Sequence, residues 1–144
     1  MSSGRKGDET ASVALEPGTK LGHYVIVSVL GIGGFGVTYL VKDPTLEKRF
    51  AVKEYFPEIF AYREGGTVRA RTTSREDYEW GRQRFVDEAR ILAKFSHPNI
   101  VGVMQVFEAN NSAYMVMEYQ EGRSLKEWFE EIETPPLRSI AVLG

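Results

Sequence analysis

Cysteine is absent from the 144 residues, which excludes disulfides, thiolate metal sites and a cysteine nucleophile, and fits a reducing compartment. Histidine is nearly absent: His23 and His97 are the only two, too few for a histidine-rich metal site. No apolar run approaches the roughly 18 residues that a membrane-crossing helix needs. Arg5 and Lys6 have no apolar stretch behind them, so a secretory signal is not expected either. One-signed charge is also missing. A net charge of −2 from 18 basic and 20 acidic residues leaves no general nucleic-acid or membrane surface. Together these absences make the cytoplasm the expected location.

What is present is one domain's worth of chain, 42% apolar and 26% charged, and a cluster of glycines. Gly31-Ile32-Gly33-Gly34-Phe35-Gly36 holds four glycines in six residues, between the apolar runs Tyr24–Leu30 and Val37–Val41. That density lets the backbone reach angles that a Cβ forbids and approach a ligand closely. Between two strands, G-x-G-x-x-G is a hairpin tip laid over a ligand; between a strand and a helix it is a dinucleotide-binding turn. The pattern alone does not choose.

The flanking residues do. Tyr24–Leu30 is short and β-branched, hence a strand, and Val37–Val41 a second. Asp43-Pro44-Thr45 is a turn. Arg49–Lys53 is a third strand in which Phe50 and Val52 point one way and Arg49, Ala51 and Lys53 the other. Residues 54–77 are less regular: Tyr55–Tyr62 reads as a short helix or packed loop, Gly65-Gly66 breaks it, and Thr67–Arg71 adds a short extended piece. From Tyr78 to Lys94 the period becomes helical, with Phe85, Glu88, Ala89, Leu92 and Phe95 on one face and Asp77 or Ser74 as the candidate cap. Glu88 lies within that apolar stripe, and a carboxylate there is expensive unless a cation meets it. His97-Pro98-Asn99 ends the helix. Val103–Phe107 and Ala113–Tyr119 form a fourth and a fifth strand around a turn at Asn110-Asn111-Ser112. Ser124-Leu125-Lys126-Glu127 has the form of a capping box; Thr134-Pro135-Pro136 stops the helix it opens, and Leu137–Gly144 begins another.

The expected fold is α+β, a five-stranded antiparallel sheet with one main packed helix. Residues 1–17 are expected to be a disordered tail with order beginning at Pro17-Gly18, residues 18–133 the domain, and 134–144 the start of a second lobe.

Strand, glycine loop, strand, strand with Lys53, helix with Glu88, strand, strand: in this order the chain resembles the amino-terminal lobe of the bacterial eukaryotic-like serine/threonine protein kinases, over roughly Leu21 to Ile132. The resemblance implies an ATP site. Gly31, Gly33, Gly34 and Gly36, with Leu30, Ile32, Phe35 and Val37, would form the nucleotide-covering loop. Thr38 stands where the family usually has valine. Ala51-Val52-Lys53 matches the Val-Ala-Ile-Lys strand motif, so Lys53 would pair with the α- and β-phosphates and with Glu88. Met115-Val116-Met117-Glu118-Tyr119 resembles the hinge. Met117 would stand beside the adenine, and the Glu118 carbonyl and Gln120 amide would hydrogen-bond its edge. Ser124 would contact the ribose or cap the next helix. The spacer between Lys53 and Glu88 is long for the family and holds an insertion, either a docking surface or a solvated loop.

The resemblance also shows what the 144 residues lack. There is no His-Arg-Asp, no Asp-Phe-Gly, and no aspartate beyond Asp87. No catalytic residue is therefore assigned. ATP is the expected ligand, with Mg²⁺ only if a second lobe is supplied; a protein substrate or a partner kinase are the further partners. Three readings follow: part of a serine/threonine kinase whose chain alone is inactive, a stand-alone non-catalytic nucleotide-binding or kinase-interaction module, or an unrelated β-rich binding domain.

Overall fold

The computed structural model describes residues 13–94 and 102–119. In chain order the elements are β1 (Lys20–Leu21), β2 (Tyr24–Ile32), β3 (Gly36–Asp43), β4 (Lys48–Tyr55), β5 (Ala61–Glu64), β6 (Thr67–Ala70), α1 (Arg75–Ala93), β7 (Val103–Ala109) and β8 (Ser112–Glu118). Six strands form one antiparallel sheet in the order β1-β2-β3-β4-β8-β7; β5 and β6 form a separate hairpin. The sheet thus has one strand more than expected. The addition, β1, is only two residues long and pairs with the start of β2, too short to leave a periodic signal.

Alternation divides the sheet into two faces with separate cores. On one face Val37, Tyr39 and Val41 of β3 meet Phe50 and Val52 of β4 and Tyr114 and Val116 of β8. Ala61 and Val68 of the β5–β6 hairpin cover this face, together with Ala14 and Leu15. On the other face Ala51, Met115 and Met117 meet Ala89 and Leu92 of α1.

Three local expectations change. Ala61–Glu64 is a strand, not a helix or loop, and pairs across a turn at Gly65, in the left-handed region, with the extended piece expected after the glycines, Thr67–Ala70. Residues before Pro17 are packed: Ala14 and Leu15 are buried, and the Leu15 N–H donates to the Tyr39 hydroxyl at 2.9 Å. The buried positions of α1 are Tyr78, Val86, Ala89 and Leu92. They follow the 3.6-residue period, which leaves Glu88 half-buried at the stripe's margin; Phe95 lies outside the described residues. Ser74 stands at the helix start without a side-chain capping bond. A glycine inside α1 has a packing reason. A Cβ on Gly81 would lie 2.2 Å from the Tyr55 hydroxyl, which donates to the Tyr78 carbonyl at 2.9 Å. Among the described residues no helix is long and apolar enough to cross a membrane.

Candidate functional site

β4 carries the side chains around which the site is built. Its register sets Lys53 opposite Thr38 of β3 and opposite Met115 of β8, and Ala51 opposite Leu40 and Met117. Two adjacent rows, Thr38–Lys53–Met115 and Leu40–Ala51–Met117, therefore lie on the face that α1 partly covers. A bulge in β2 between Val29 and Gly31 re-aims the strand. Val29 packs into the core of the far face, while Leu30 packs against the cluster of Ala51, Met115 and Met117. The result is an apolar wall beside the half-buried stem of Lys53.

The glycine loop closes over the end of these rows as a hairpin, with the Gly33 N–H donating to the Gly36 carbonyl at 2.9 Å. Its glycines are not equivalent. A Cβ on Gly36 would lie 2.6 Å from the Glu54 carbonyl oxygen and 3.3 Å from Lys53 Cε, so only glycine lets β3 lie against the lysine stem. A Cβ on Gly33 would meet nothing within 4 Å, and one on Gly34 only Glu58 Oε2 at 4.0 Å. Ile32 and Phe35 are exposed, Phe35 by 73%.

The other site candidates separate. Val37 is on the far face, inside its core, because alternation turns it away from its neighbour Thr38. Thr38 is on the Lys53 face, fully buried, with a hydroxyl that has no hydrogen-bond partner among the described residues; its shape is that of valine. A cation does meet Glu88: Arg84, one helical turn earlier, at 3.5 Å. Met117 is buried, Glu118 is exposed, and Gln120 and Ser124 lie outside the described residues.

Sequence reasoning passed over two features. Met115 stands directly beside Lys53 in the ladder. On the opposite face, behind Lys53, the fully buried Glu54 is the hub of a polar network. Tyr39 donates to Glu54 Oε1 at 2.8 Å, Tyr114 to Oε2 at 2.6 Å, and Arg63 from β5 to Oε1 at 2.5 Å. Arg63 Nε also donates to the Val13 carbonyl at 2.5 Å, and its guanidinium lies over the Phe56 ring, 4.9 Å from the centroid. Both charged side chains are almost completely excluded from water, 0% and 4% exposed.

Burial first, then the negative charge of Glu54, pushes the Tyr39 and Tyr114 hydroxyls above the ordinary phenol range. Burial, then Tyr78, does the same for Tyr55. A phenol is neutral when protonated, so a raised folded-state pKa means that the folded chain keeps protons that the unfolded chain releases above about pH 10. The stabilisation is complete below that pH and falls as pH rises through it. Tyrosinate absorbance and circular dichroism recorded together against pH should show these phenols ionising only as the fold is lost. All tyrosines titrating near pH 10 with the dichroism unchanged would contradict the burial described.

A match to the protein kinase domain runs over residues 24–141. The chain belongs to the protein kinase family. This kinase chain is 35% identical over 107 residues to the serine/threonine-protein kinase PrkC of Bacillus subtilis (strain 168), covering 74% of the chain and 14% of that relative. It is 30% identical over 130 residues to the serine/threonine-protein kinase PknJ of Mycobacterium bovis, covering 90% of the chain and 19% of the relative. The solved apo form of PpkA-294 superposes with a TM-score of 0.74 at 35% identity, covering 81% of the chain and 42% of that structure. The kinase chain therefore spans less than a fifth of the length of these curated relatives. Among the described residues, its curled antiparallel sheet and one long helix are the architecture of a kinase amino-terminal lobe.

Proposed function

We propose that this kinase chain supplies the ATP-gripping half of a serine/threonine kinase active site. The observation that carries the reading is the shared register of Thr38, Lys53 and Met115 with Leu40, Ala51 and Met117, beneath a glycine hairpin with no room for a side chain at Gly36. Leu30, Ala51 and Met117 are apolar and packed in one cluster, which suits a flat purine. Gly31, Gly33, Gly34 and Gly36, with Ile32 and Phe35, would cover the phosphates. Lys53 would hold the α- and β-phosphates and ion-pair with Glu88. The Glu118 carbonyl and Gln120 amide would take the adenine edge, and Ser124 the ribose.

ATP supplies the phosphoryl group; these residues bind it, orient it and exclude water. Magnesium takes oxygen ligands. Among the described residues no three histidine, aspartate or glutamate side chains converge, so the metal's ligands would come from a second lobe. The aspartates of the kinase catalytic and metal-binding motifs are likewise absent from the 144 residues. The chain alone is therefore expected to bind ATP weakly and to transfer phosphate poorly or not at all.

Thermal unfolding with and without ATP tests the site. ATP should raise the midpoint of the wild-type chain, since a ligand that binds only the folded state stabilises it. Lys53→Ala should weaken ATP binding by about tenfold or more, the loss of a charge-assisted phosphate contact. Equal ATP-induced shifts in the two proteins would remove Lys53 from the site.

A further inference from the structure

The insertion that follows Lys53 touches the glycine loop. Beyond the last paired residues of β3 and β4, Gly36 and Tyr55, the ladder continues: the Phe56 N–H donates to the Phe35 carbonyl at 3.0 Å, and the Glu58 N–H to the Gly34 carbonyl at 3.1 Å. Two carbonyls at the tip of the loop are thus held by backbone donors from outside the hairpin.

Those donors are themselves anchored. The Phe60 N–H donates to the Pro57 carbonyl at 2.8 Å, closing a turn, and the Arg71 N–H donates to the Phe60 carbonyl at 2.7 Å. The Arg71 guanidinium bonds the Glu58 carbonyl at 3.2 and 3.3 Å. Arg63 lies over the Phe56 ring and is locked to Glu54. At its far end the insertion is fastened to the β7–β8 turn: the Val68 N–H donates to the Asn110 carbonyl at 3.0 Å, and Asn111 Nδ2 to the Val68 carbonyl at 2.9 Å. Asn110 and Asn111 both adopt positive φ, the backbone of a tight hairpin turn.

We propose that residues 56–71 are a brace for the glycine loop, anchored by the positioning residue Arg63 and acting through the amides of Phe56 and Glu58. The brace sets the mobility of the loop, and through it the affinity for nucleotide, from the side of the sheet opposite the nucleotide. Its effect on affinity rests on the ATP-site reading above; its effect on the loop does not. The physical reason is preorganisation. A glycine-rich loop loses much backbone freedom when it closes on a ligand, and one already held at two carbonyls loses less.

Glu58→Pro in the 144-residue chain isolates one contact. Glu58 is exposed and second in the Pro57–Phe60 turn, a position where the fixed φ of proline fits. The substitution removes the N–H while keeping the carbonyl that Arg71 uses. Glu58→Ala, which keeps the N–H, is the control. Hydrogen exchange of the 31–36 segment without nucleotide should quicken about three- to tenfold in Glu58→Pro, the worth of one hydrogen bond. ATP affinity should weaken by a similar factor, while Glu58→Ala matches the wild type in both and the thermal midpoint of Glu58→Pro stays within a few degrees of it. Unchanged loop exchange in Glu58→Pro overturns the brace, and quicker exchange with unchanged ATP affinity overturns its link to the nucleotide. Absence of ATP binding in the wild type would refute the ATP-site reading instead, and the exchange measurement would still decide the brace.

Discussion

Arg63→Ala is expected to cost the chain about 3–5 kcal/mol of stability, the penalty of leaving one member of a buried ion pair without its partner. Glu54 would remain fully buried with its negative charge opposed only by the hydroxyls of Tyr39 and Tyr114. The same substitution removes the donor to the Val13 carbonyl and the cation stacked on Phe56, so the N-terminal segment and the β5–β6 hairpin both lose a fastening to the sheet. Domains of this size are stable by about 5–15 kcal/mol, which puts the variant close to the threshold of folding. Urea unfolding measures the loss directly. The double variant Glu54→Leu/Arg63→Met separates the explanations. It removes both charges, so it should lose less than Arg63→Ala despite leaving two tyrosine hydroxyls without an acceptor. A loss below about 1 kcal/mol for Arg63→Ala, the scale of an ordinary surface pair, would show that the pair is not buried as described.

Gly36→Ala is expected to weaken ATP binding by about tenfold or more and to cost about 1–3 kcal/mol, as overpacking does. The new Cβ would stand 2.6 Å from the Glu54 carbonyl, and that oxygen belongs to a paired strand that cannot swing aside. Relief requires β3 and β4 to part at the point where Lys53 Cε lies 3.3 Å away, so the strain falls on the lysine that faces the phosphates in the proposed site. Gly33→Ala and Gly34→Ala are the comparison. The first has nothing within 4 Å and the second only Glu58 Oε2 at 4.0 Å, so both should be milder in stability and in ATP affinity. Calorimetric titration with ATP and thermal unfolding of the three variants rank them. A Gly33→Ala loss as large as that of Gly36→Ala would assign the requirement to turn conformation instead of close approach.

Much of the fold was legible because its signals are local. The alternation of Phe50 and Val52 against Ala51 and Lys53 put Lys53 on its face of β4, and the structure keeps that division as two separate cores. The helical period placed Ala89 and Leu92 inward, as they are. The extended piece after Gly65-Gly66 was legible, but β5 and its pairing with it were not, although two glycines between two short runs are a hairpin signal. Four-residue strands carrying arginines and glutamate gave that signal too little apolar contrast to stand on. A carboxylate on an apolar face needs a cation, and the helical period points to Glu88 as that carboxylate. Continuing the β4 alternation one step sets Glu54 with Phe50 and Val52, and that carboxylate is the buried one. Glu88 sits at the margin of its stripe, beside Arg84.

By itself, then, the sequence determined the order of the five main strands and the long helix and the side of β4 that carries Lys53, while the kinase motifs entered by resemblance. The order and the side follow from period and sterics within a few residues of chain. Only the tertiary structure decided which carboxylate is buried, which glycine has no room for a side chain, and that the insertion reaches back to the loop over the proposed phosphate site. Those outcomes depend on what packs against each face, and the partners come from distant segments: Arg63 and Tyr114 for Glu54, Glu54 for Gly36, and Phe56 and Glu58 for the loop. No local pattern records contacts made across so much intervening chain.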